Sequence, residues 1–321
     1  MTKSHLPAPG DPCQPEPRRA GPRDEHIIDA PADDDELQRV HAWLTEQPIA
    51  VLLRAAVDDA VRYVLDGART WRFDLTSDKV DSDERSSVGT KLQYHVIERL
   101  KLLKEPPLDT TIAGIPVEIK GTIGKTWMIP REGQCEITLM VQIDAGRHQF
   151  RTLLMRTHRA WLTGGEGNRD GKRSPRADAV KQYAIEVVPW SDLPPEPLRN
   201  LSPAQLLEVF GPHGLRRRLI ALFGHLPEEV IPRSSIETVG AGLKDPTRRA
   251  REAKPDVMKE HGLVVLVGTW HVELDAAAQL GHDLSNDAWV AVPRAKLESH
   301  GFKPDVFLRQ PSAEDSDQDR S

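Results

Sequence analysis

Three charged residues, Asp109, Glu118 and Lys120, have the types and the spacing of a hydrolytic site. Side chains alternate between the two faces of a strand, so Glu118 and Lys120 project to one side while Ile119 projects to the other, into a core. A hairpin turn at 113–114 would fold the preceding strand back and bring Asp109 to the same face. The sequence therefore predicts two carboxylates and one ammonium group at the rim of a sheet.

This set of side chains suits the hydrolysis of a phosphodiester. Carboxylate oxygens are the ligands that Mg²⁺ prefers, and bound Mg²⁺ neutralises phosphate charge and lowers the pKa of a bound water. Lys120 would orient or deprotonate that water and offset the developing negative charge. The same residues also fit a surface ion pair on an edge strand, so the spacing alone leaves both interpretations open.

The elements that must position these residues follow from the spacing of apolar and β-branched residues. Helical spacing predicts three helices ahead of the site, at 37–44, 53–64 and 89–104, with a polar loop at 75–88. Runs of β-branched residues then predict strands at 110–112, 115–120, 136–143, 148–156 and 183–189. Helices followed by consecutive strands predict a mixed-sheet α/β domain.

A cluster of prolines at 189–197 predicts a domain boundary. Beyond it the pattern is mainly helical, with predicted helices at 203–210, 213–224 and 246–261 and predicted strands at 263–270 and 288–293. This order fits a winged helix-turn-helix. The predicted organisation is a disordered tail (1–33), the α/β domain (34–190), the winged helix-turn-helix domain (195–305) and an acidic disordered tail (306–321).

The net charge of −6 is unevenly distributed and does not argue against a polyanionic partner. Residues 1–40 carry −4 and residues 312–321 carry −3, which leaves the remainder at +1. Within it, residues 151–181 hold eight Lys and Arg against three acids, and residues 213–259 hold ten against six. Local basic stripes attract nucleic acids more than the overall charge does, although a solvated surface gives the same pattern.

Each basic stretch contains one candidate DNA-binding segment. The first is a Gly-rich loop at 164–171 that carries or adjoins Asn168, Arg169, Asp170, Lys172 and Arg173. Such side chains read base edges and hold phosphates, and glycine lets the backbone approach DNA closely. The second is a helix that carries Arg248, Arg249, Arg251 and Lys254, which could enter the major groove. A solvated loop and an exposed charged helix are the alternative interpretations.

Two cysteines, Cys13 and Cys135, lie 122 positions apart, and the histidines show no metal-ligand spacing. This predicts neither a disulfide framework nor a Cys-based metal site. No apolar run reaches the roughly 20 residues that a bilayer requires. We expect no membrane partner and a cytoplasmic location.

Several motifs, in order along the chain, resemble the NaeI family of type II restriction endonucleases: Gly89-Thr90, Leu108-Asp109, Ile112-Ala113-Gly114, Val117-Glu118-x-Lys120, Trp127-Met128-Ile129-Pro130 and Asn168-Arg169-Asp170-x-Lys172-Arg173. The resemblance implies a restriction-endonuclease-like core with catalytic Asp109, Glu118 and Lys120, the two carboxylates being metal ligands. It also implies Mg²⁺, a homodimer and double-stranded DNA as partner, with a C-terminal domain that binds a second, effector site.

Gln93 departs from the family pattern, which has a Glu at this position, 16 residues before Asp109. Gln can still hydrogen-bond a metal-bound water or orient Lys120, but it brings no charge. The departure keeps two alternatives open beside a site-specific endonuclease. One is a DNA-binding or sensor protein of the same fold that cuts weakly or not at all, and the other is a repair-type nickase.

Overall fold

A computed structural model describes residues 5–14, 25–163 and 170–308 of the chain. The α-helices are, in chain order, α1 (Asp35–Thr45), α2 (Ile49–Leu65), α3 (Gly67–Thr70), α4 (Ser82–Arg99), α5 (Ala177–Tyr183), α6 (Pro203–Phe210), α7 (Leu215–His225), α8 (Arg233–Val239), α9 (Pro246–His261), α10 (His271–Gln279) and α11 (Arg294–Ser299). The strands are β1 (Pro12–Cys13), β2 (His26–Ile27), β3 (Thr110–Ile112), β4 (Ile115–Thr122), β5 (Ile137–Asp144), β6 (Gln149–Arg156), β7 (Ile185–Asp192), β8 (Leu263–Val267) and β9 (Trp289–Pro293).

A five-stranded sheet organises the first half of the chain. Its strand order is β3-β4-β5-β6-β7, parallel between β4 and β5 and antiparallel elsewhere. The central strand β5 is buried along its whole length except for Asp144, which is typical of a strand covered on both faces. The predicted mixed-sheet α/β fold is therefore confirmed.

Two apolar clusters cover the two faces of this sheet. Helices α1, α2 and α4 contribute to one cluster, which includes Ile119 and Leu139. Helix α5 contributes to the other, in which Trp161 stacks on Tyr183 with ring centroids 4.1 Å apart and Met140 is buried beside them. The alternation along β4 and β5 thus separates two cores, as the strand period requires.

Helix α4 begins earlier than predicted and removes half of the expected 75–88 loop. The Asp81 side chain accepts a hydrogen bond from the Glu84 backbone N–H, and the Glu84 side chain accepts one from the Asp81 backbone N–H. This reciprocal capping box satisfies two backbone donors that a helix start otherwise leaves unpaired. It fixes the first turn of the helix that carries Gln93.

The described chain divides into two compact units. The first comprises residues 1–65 and 74–194, and the second comprises residues 66–73 and 195–321.

The short segment 66–73 belongs to the second unit, whereas the predicted domain organisation places this segment in the α/β domain. It belongs to the second unit because its aromatic residues pack there. The rings of Trp71 and Phe73 stack on Phe210 with centroid distances of 6.2 and 5.6 Å. Propensity and period do not reveal such a long-range partner.

The second unit is built on contacts between α7 and α9, with α6 and α8 beside them and the antiparallel pair β8–β9 against α9. The helices predicted at 203–210 and 246–261 have these bounds in the structure. The sequence prediction lacks α8, α10 and α11, and it extends the first strand to 270 although β8 ends at Val267. The assignment of this unit as a winged helix-turn-helix stays a prediction.

Both termini differ from the predicted tails where the structure describes them. Strand β1 pairs with β2, and Cys13 and Ile28 are buried in the first unit. At the other end, a 3₁₀ turn over Pro304–Leu308 buries Phe307. A few apolar anchors hold these Pro-rich and acidic segments, which composition alone does not predict. The remainder of both predicted tails, 1–4, 15–24 and 309–321, lies outside the described residues.

Within the described part of the chain, none of the helices combines the length and the apolar character needed to cross a bilayer.

Candidate active site

The β3–β4 hairpin brings the candidate carboxylates together. Its two turn residues, Ala113 and Gly114, both have positive φ, 51° and 77°, which is the conformation of a type I′ turn. The register pairs Thr110 with Val117. Asp109, which directly precedes β3, therefore lies beside the part of β4 that carries the other candidate residues, as the sequence predicts.

Asp109 is buried, and each of its carboxylate oxygens accepts a hydrogen bond. Oδ1 accepts from Nε2 of Gln93 at 2.8 Å, and Oδ2 accepts from the backbone N–H of Ile119 at 2.9 Å. The second bond ties the residue before β3 directly to the middle of β4. Asp109 is thus fixed from two sides, by helix α4 and by the sheet.

Glu118 and Lys120 lie on the same face of β4 and form an ion pair, with Nζ 2.6 Å from Oε1. Burial raises the pKa of Glu118; the ammonium group of Lys120 opposes this shift, and the negative charges of Asp109 and Glu132 add to it. The charge of Glu118 is thus balanced by Lys120 and opposed by Asp109 and Glu132, and both Asp109 and Glu118 are buried. This local excess of negative charge favours a cation.

Two glycines set how closely helix α4 approaches the sheet. A Cβ on Gly89 would lie 2.6 Å from the backbone oxygen of Gly121, and a Cβ on Gly121 would lie 2.7 Å from a methyl group of Leu92. Only glycine fits at such a backbone contact. Because Gln93 lies one helical turn after Gly89, this close approach allows a side chain as short as glutamine to reach Asp109. A glycine inside a strand often marks the close approach of another backbone, so Gly121 is the sequence signal that could have predicted this contact with helix α4.

A loop between β4 and β5 supports Glu118 from behind. A Cβ on Gly133 would lie 3.2 Å from Cγ of Glu118, so the backbone passes directly against this side chain. The next residue, Gln134, donates from Nε2 to the carbonyl of Gly171 at 3.0 Å. The loop therefore links the candidate active site to the segment that follows residues 164–169, which lie outside the described part of the chain.

The predicted DNA-binding residues of that loop are only partly described. Asn168 and Arg169 lie outside the described residues. Lys172 is partly exposed, and its Nζ lies 3.8 Å from Oδ2 of Asp170. Arg173 pairs through its backbone with Ile129 (2.8 and 3.0 Å), and partial burial lowers the pKa of its guanidinium group.

The predicted basic residues of α9 do not share one surface. Arg248 and Arg249 are exposed, and both form ion pairs with Glu252. Arg251 lies over the ring of Trp270, 5.4 Å from its centroid.

Lys254 departs from the prediction that it contacts DNA. It is 2% exposed, and its Nζ is held by both carboxylate oxygens of Glu273, at 2.6 and 2.8 Å, and by the carbonyl of Phe307 at 3.4 Å. The helical period does not distinguish a buried, paired lysine from an exposed one. A buried lysine bound in this way is not available to a phosphate.

A comparison with known protein families identifies the family of this chain. The family model of restriction endonuclease NaeI matches residues 39–309, most of the chain. The matched region contains all the residues of the candidate active site described above. A search of the curated proteins found no match. The chain therefore belongs to the NaeI restriction endonuclease family, and it is a type II, site-specific deoxyribonuclease.

Proposed function

We propose that the chain cuts both strands of DNA at a specific site in a Mg²⁺-dependent reaction, as a homodimer whose second unit binds an additional DNA segment. The observation that carries the proposal is the juxtaposition of Asp109, Glu118 and Lys120 by one hairpin. Restriction endonucleases generally use a divalent metal. The remaining question for this chain is whether its own residues suit Mg²⁺.

The donor set suits a hard divalent cation. Asp109 and Glu118 offer carboxylate oxygens, which Mg²⁺ prefers. Asp109 and Glu132 repel the charge of Glu118 electrostatically, so a cation bound between the carboxylates would relieve repulsion. We propose Asp109 and Glu118 as its ligands. When bound, Mg²⁺ supplies a Lewis acid that stabilises charge on the scissile phosphate.

Lys120 would hold the attacking water and take its proton or offset the charge that develops on the phosphate. Its ion pair with Glu118 keeps Nζ at the mouth of the site, since Lys120 is only partly buried. Gln93 would orient Asp109 through the hydrogen bond from Nε2. In this proposal Lys120 transfers the proton or offsets the charge, and Gln93 positions the carboxylate of Asp109.

The proposed DNA contacts involve both units. In the first unit, Lys172 and Arg173 follow the loop that contains Asn168 and Arg169, and the bond from Gln134 to Gly171 connects this segment with the loop behind Glu118. Positioning phosphates next to the catalytic groups is the expected use of such a segment.

In the second unit, Arg248 and Arg249 are the proposed contacts to effector DNA. Both side chains are exposed. The double variant Arg248→Ala with Arg249→Ala removes both positive charges. It should reduce the stimulation of cleavage by an added oligonucleotide that carries the recognition site. It should leave unstimulated cleavage in place, because neither residue belongs to the candidate active site. Equal stimulation of the variant and the wild type would contradict the effector role.

A homodimer follows from the proposed reaction. One candidate active site per chain cuts one strand, and two copies related by a two-fold axis present two sites to the two strands of a symmetric sequence. Analytical ultracentrifugation of the full chain checks this part of the proposal. A monomer that stays monomeric on DNA would contradict it.

The central test is cleavage of an unmethylated plasmid library of random sequence. With Mg²⁺, the wild-type chain should give linear fragments whose ends share one sequence. Glu118→Gln should abolish them, whereas Glu98→Gln, which neutralises an exposed carboxylate on α4, should not. Fragments without a common end sequence, or undiminished cleavage by Glu118→Gln, would contradict the proposal.

A second candidate function rests on the uncharged Gln93. With only Asp109 and Glu118 as charged ligands, the chain could bind DNA and cut weakly, or nick one strand. The plasmid assay separates these functions, because a binding protein leaves supercoiled DNA intact, a nickase accumulates open circles, and the proposed enzyme produces linear DNA.

A further inference from the structure

Four residues that are far apart in sequence converge on the face of the sheet covered by α5. They are Cys13, His26, Cys135 and His158, and one ligand atom from each lies within 4.8 Å of those of the others. Sγ of Cys13 and Sγ of Cys135 are 3.7 Å apart, and Nε2 of His26 and Nδ1 of His158 are 3.1 Å apart. This arrangement differs from the sequence prediction that the chain has no Cys-based metal site.

The distances match a tetrahedral site. Zinc–sulfur bonds of about 2.3 Å in tetrahedral geometry separate two sulfurs by about 3.8 Å, and zinc–nitrogen bonds of about 2.0 Å separate two nitrogens by about 3.3 Å. The observed 3.7 and 3.1 Å are close to both values. A disulfide requires about 2.05 Å between the sulfurs, far less than this separation.

The backbone fixes the positions of the four residues. Cys13 and His26 are direct partners in the β1–β2 pair, so one ladder presents two ligands together. Cys135 adopts φ of +70°, a left-handed conformation that is costly for a residue other than glycine. His158 follows β6, two residues after Arg156, and is 2% exposed.

The surroundings favour the metal-binding forms of the side chains. The backbone N–H of Arg159 donates to Sγ of Cys135 at 3.3 Å, and the backbone N–H of Ala160 donates to Cys13. Such donors stabilise thiolates and are typical of the shell around a zinc site.

We propose that Cys13, His26, Cys135 and His158 bind one Zn²⁺ as a closed structural site. Two thiolates and two imidazoles are the donors that zinc prefers, whereas Mg²⁺ prefers oxygen. All four positions are filled by protein, and Cys13, Cys135 and His158 are buried, so the site has no open position for a substrate. Binding releases the thiol protons to solvent.

The proposed zinc would fasten the N-terminal β1–β2 pair to the sheet and fix the loop behind the active site. Cys135 lies two residues after Gly133, the residue in contact with Glu118. The backbone N–H of Cys135 also donates to the carbonyl of Thr157, at 2.8 Å, which joins the loop to the segment that carries His158. Loss of the metal should therefore lower stability first and affect cleavage only through the position of Glu118.

The test measures bound metal rather than activity. The full chain, expressed without a histidine tag, should contain one zinc per chain by mass spectrometry of elements. Cys13→Ser and His158→Ala should lose it at a chelator concentration that leaves the wild type loaded. His95→Gln, a partly buried histidine on α4 outside the cluster, should keep it.

A second measurement does not depend on how the variants fold. Exchange of the wild-type metal for Co²⁺ should give the thiolate charge-transfer and ligand-field bands of tetrahedral cobalt, and chelation should lower the melting temperature. A wild-type chain without zinc, zinc retained in both ligand variants, or an intact mass that shows Cys13 joined to Cys135 by a disulfide would each overturn the proposal. Bound zinc is measured without DNA or Mg²⁺, so a failure of the zinc proposal and a failure of the proposed cleavage activity are distinguishable.

Discussion

Nε2 of Gln93 donates to Oδ1 of Asp109 over 2.8 Å, so the amide forms a direct hydrogen bond with a candidate metal ligand. An amide donor can face a carboxylate without a cation between them. A glutamate at 93, as the family pattern has it, would place two carboxylates in contact. Such a pair is stable only when a metal or a proton neutralises it.

Exchange of Gln93 for Glu should therefore make the site more dependent on metal. We expect Gln93→Glu to lower the Mg²⁺ concentration that gives half-maximal cleavage. In chelator the variant should melt at a lower temperature than the wild type, and added Mg²⁺ should remove this difference. Gln93→Ala is the control, because it removes the hydrogen bond without adding charge. A Mg²⁺ titration in which Gln93→Glu requires as much metal as the wild type would indicate a structural role for Gln93.

Lys120 should be essential for cleavage and dispensable for binding. Loss of a proton-transfer group costs about 100-fold or more in rate. Lys120→Ala should show at least this loss in a plasmid assay while its DNA affinity, measured without Mg²⁺, stays close to that of the wild type. Lys125→Ala removes an exposed ammonium group nearby and should cut normally. Cleavage by Lys120→Ala within about tenfold of the wild type would exclude the catalytic role.

Asp34 should contribute stability that disappears in acid. Both of its oxygens accept hydrogen bonds from Arg156, at 2.5 and 2.8 Å, and Oδ1 also accepts from the backbone N–H of Leu37. Burial alone would raise the pKa of Asp34, but the bonds from Arg156 and Leu37 and the nearby charges of Arg156 and His158 lower it overall. A depressed pKa contributes stability above the unfolded value of about 3.9 and loses it as the pH falls through the folded value.

The measurement is thermal unfolding of Asp34→Asn and wild type between neutral pH and strong acid. Removal of one partner from a buried ion pair costs about 3 kcal/mol, so the variant should be clearly less stable at neutral pH. The difference should shrink below the unfolded pKa and vanish below the folded one. Asp35→Asn, an exposed neighbour, should change stability by no more than about 0.5 kcal/mol. A deficit of Asp34→Asn that does not depend on pH would contradict the assignment.

Removal of one partner of the Lys254–Glu273 pair should lower the free energy of unfolding more than replacement of both partners. Glu273 also accepts from the backbone N–H of Val267 at 2.6 Å, so Lys254→Met leaves a buried carboxylate with only one strong donor. We expect a loss of about 3–5 kcal/mol from this single change. The double variant Lys254→Met with Glu273→Gln should recover about 2 kcal/mol, since Gln keeps the bond from Val267.

Hydrogen exchange of the β8 amides measures this effect within the second unit of the full chain. Arg248→Met is the control, because its pairs with Asp245 and Glu252 are exposed and contribute little. Additive effects in the double variant would show that Lys254 and Glu273 do not act as a pair.

Local signals predicted the part of the fold that holds the active site. The hairpin follows from Ala113-Gly114, the face shared by Glu118 and Lys120 follows from strand alternation, and both are found in the structure. The spacing of Asp81 and Glu84 is that of a capping box and indicates the start of α4, whereas the polar composition of 75–88 favours a loop.

Contacts between distant segments could not be predicted in the same way. Cys13 and Cys135 are 122 residues apart, and no spacing rule connects them across the seven helices and strands that lie between them. The buried position of Lys254 depends on Glu273, which comes from another helix. In both cases the tertiary partner, not the local pattern, decides what the side chain does.

The packing of Trp71 and Phe73 on Phe210 means that no single cut separates the two units. A truncated protein that ends near 190 retains both aromatic side chains and deprives them of the ring on which they stack. The complementary fragment that starts near 195 has an apolar gap at Phe210. Separate preparation of the first unit therefore requires two breaks in the chain and a short linker in place of 66–73, or co-expression of both fragments. Aggregation of a simple truncation would reflect the exposed rings of Trp71 and Phe73 rather than an inability of the α/β unit to fold.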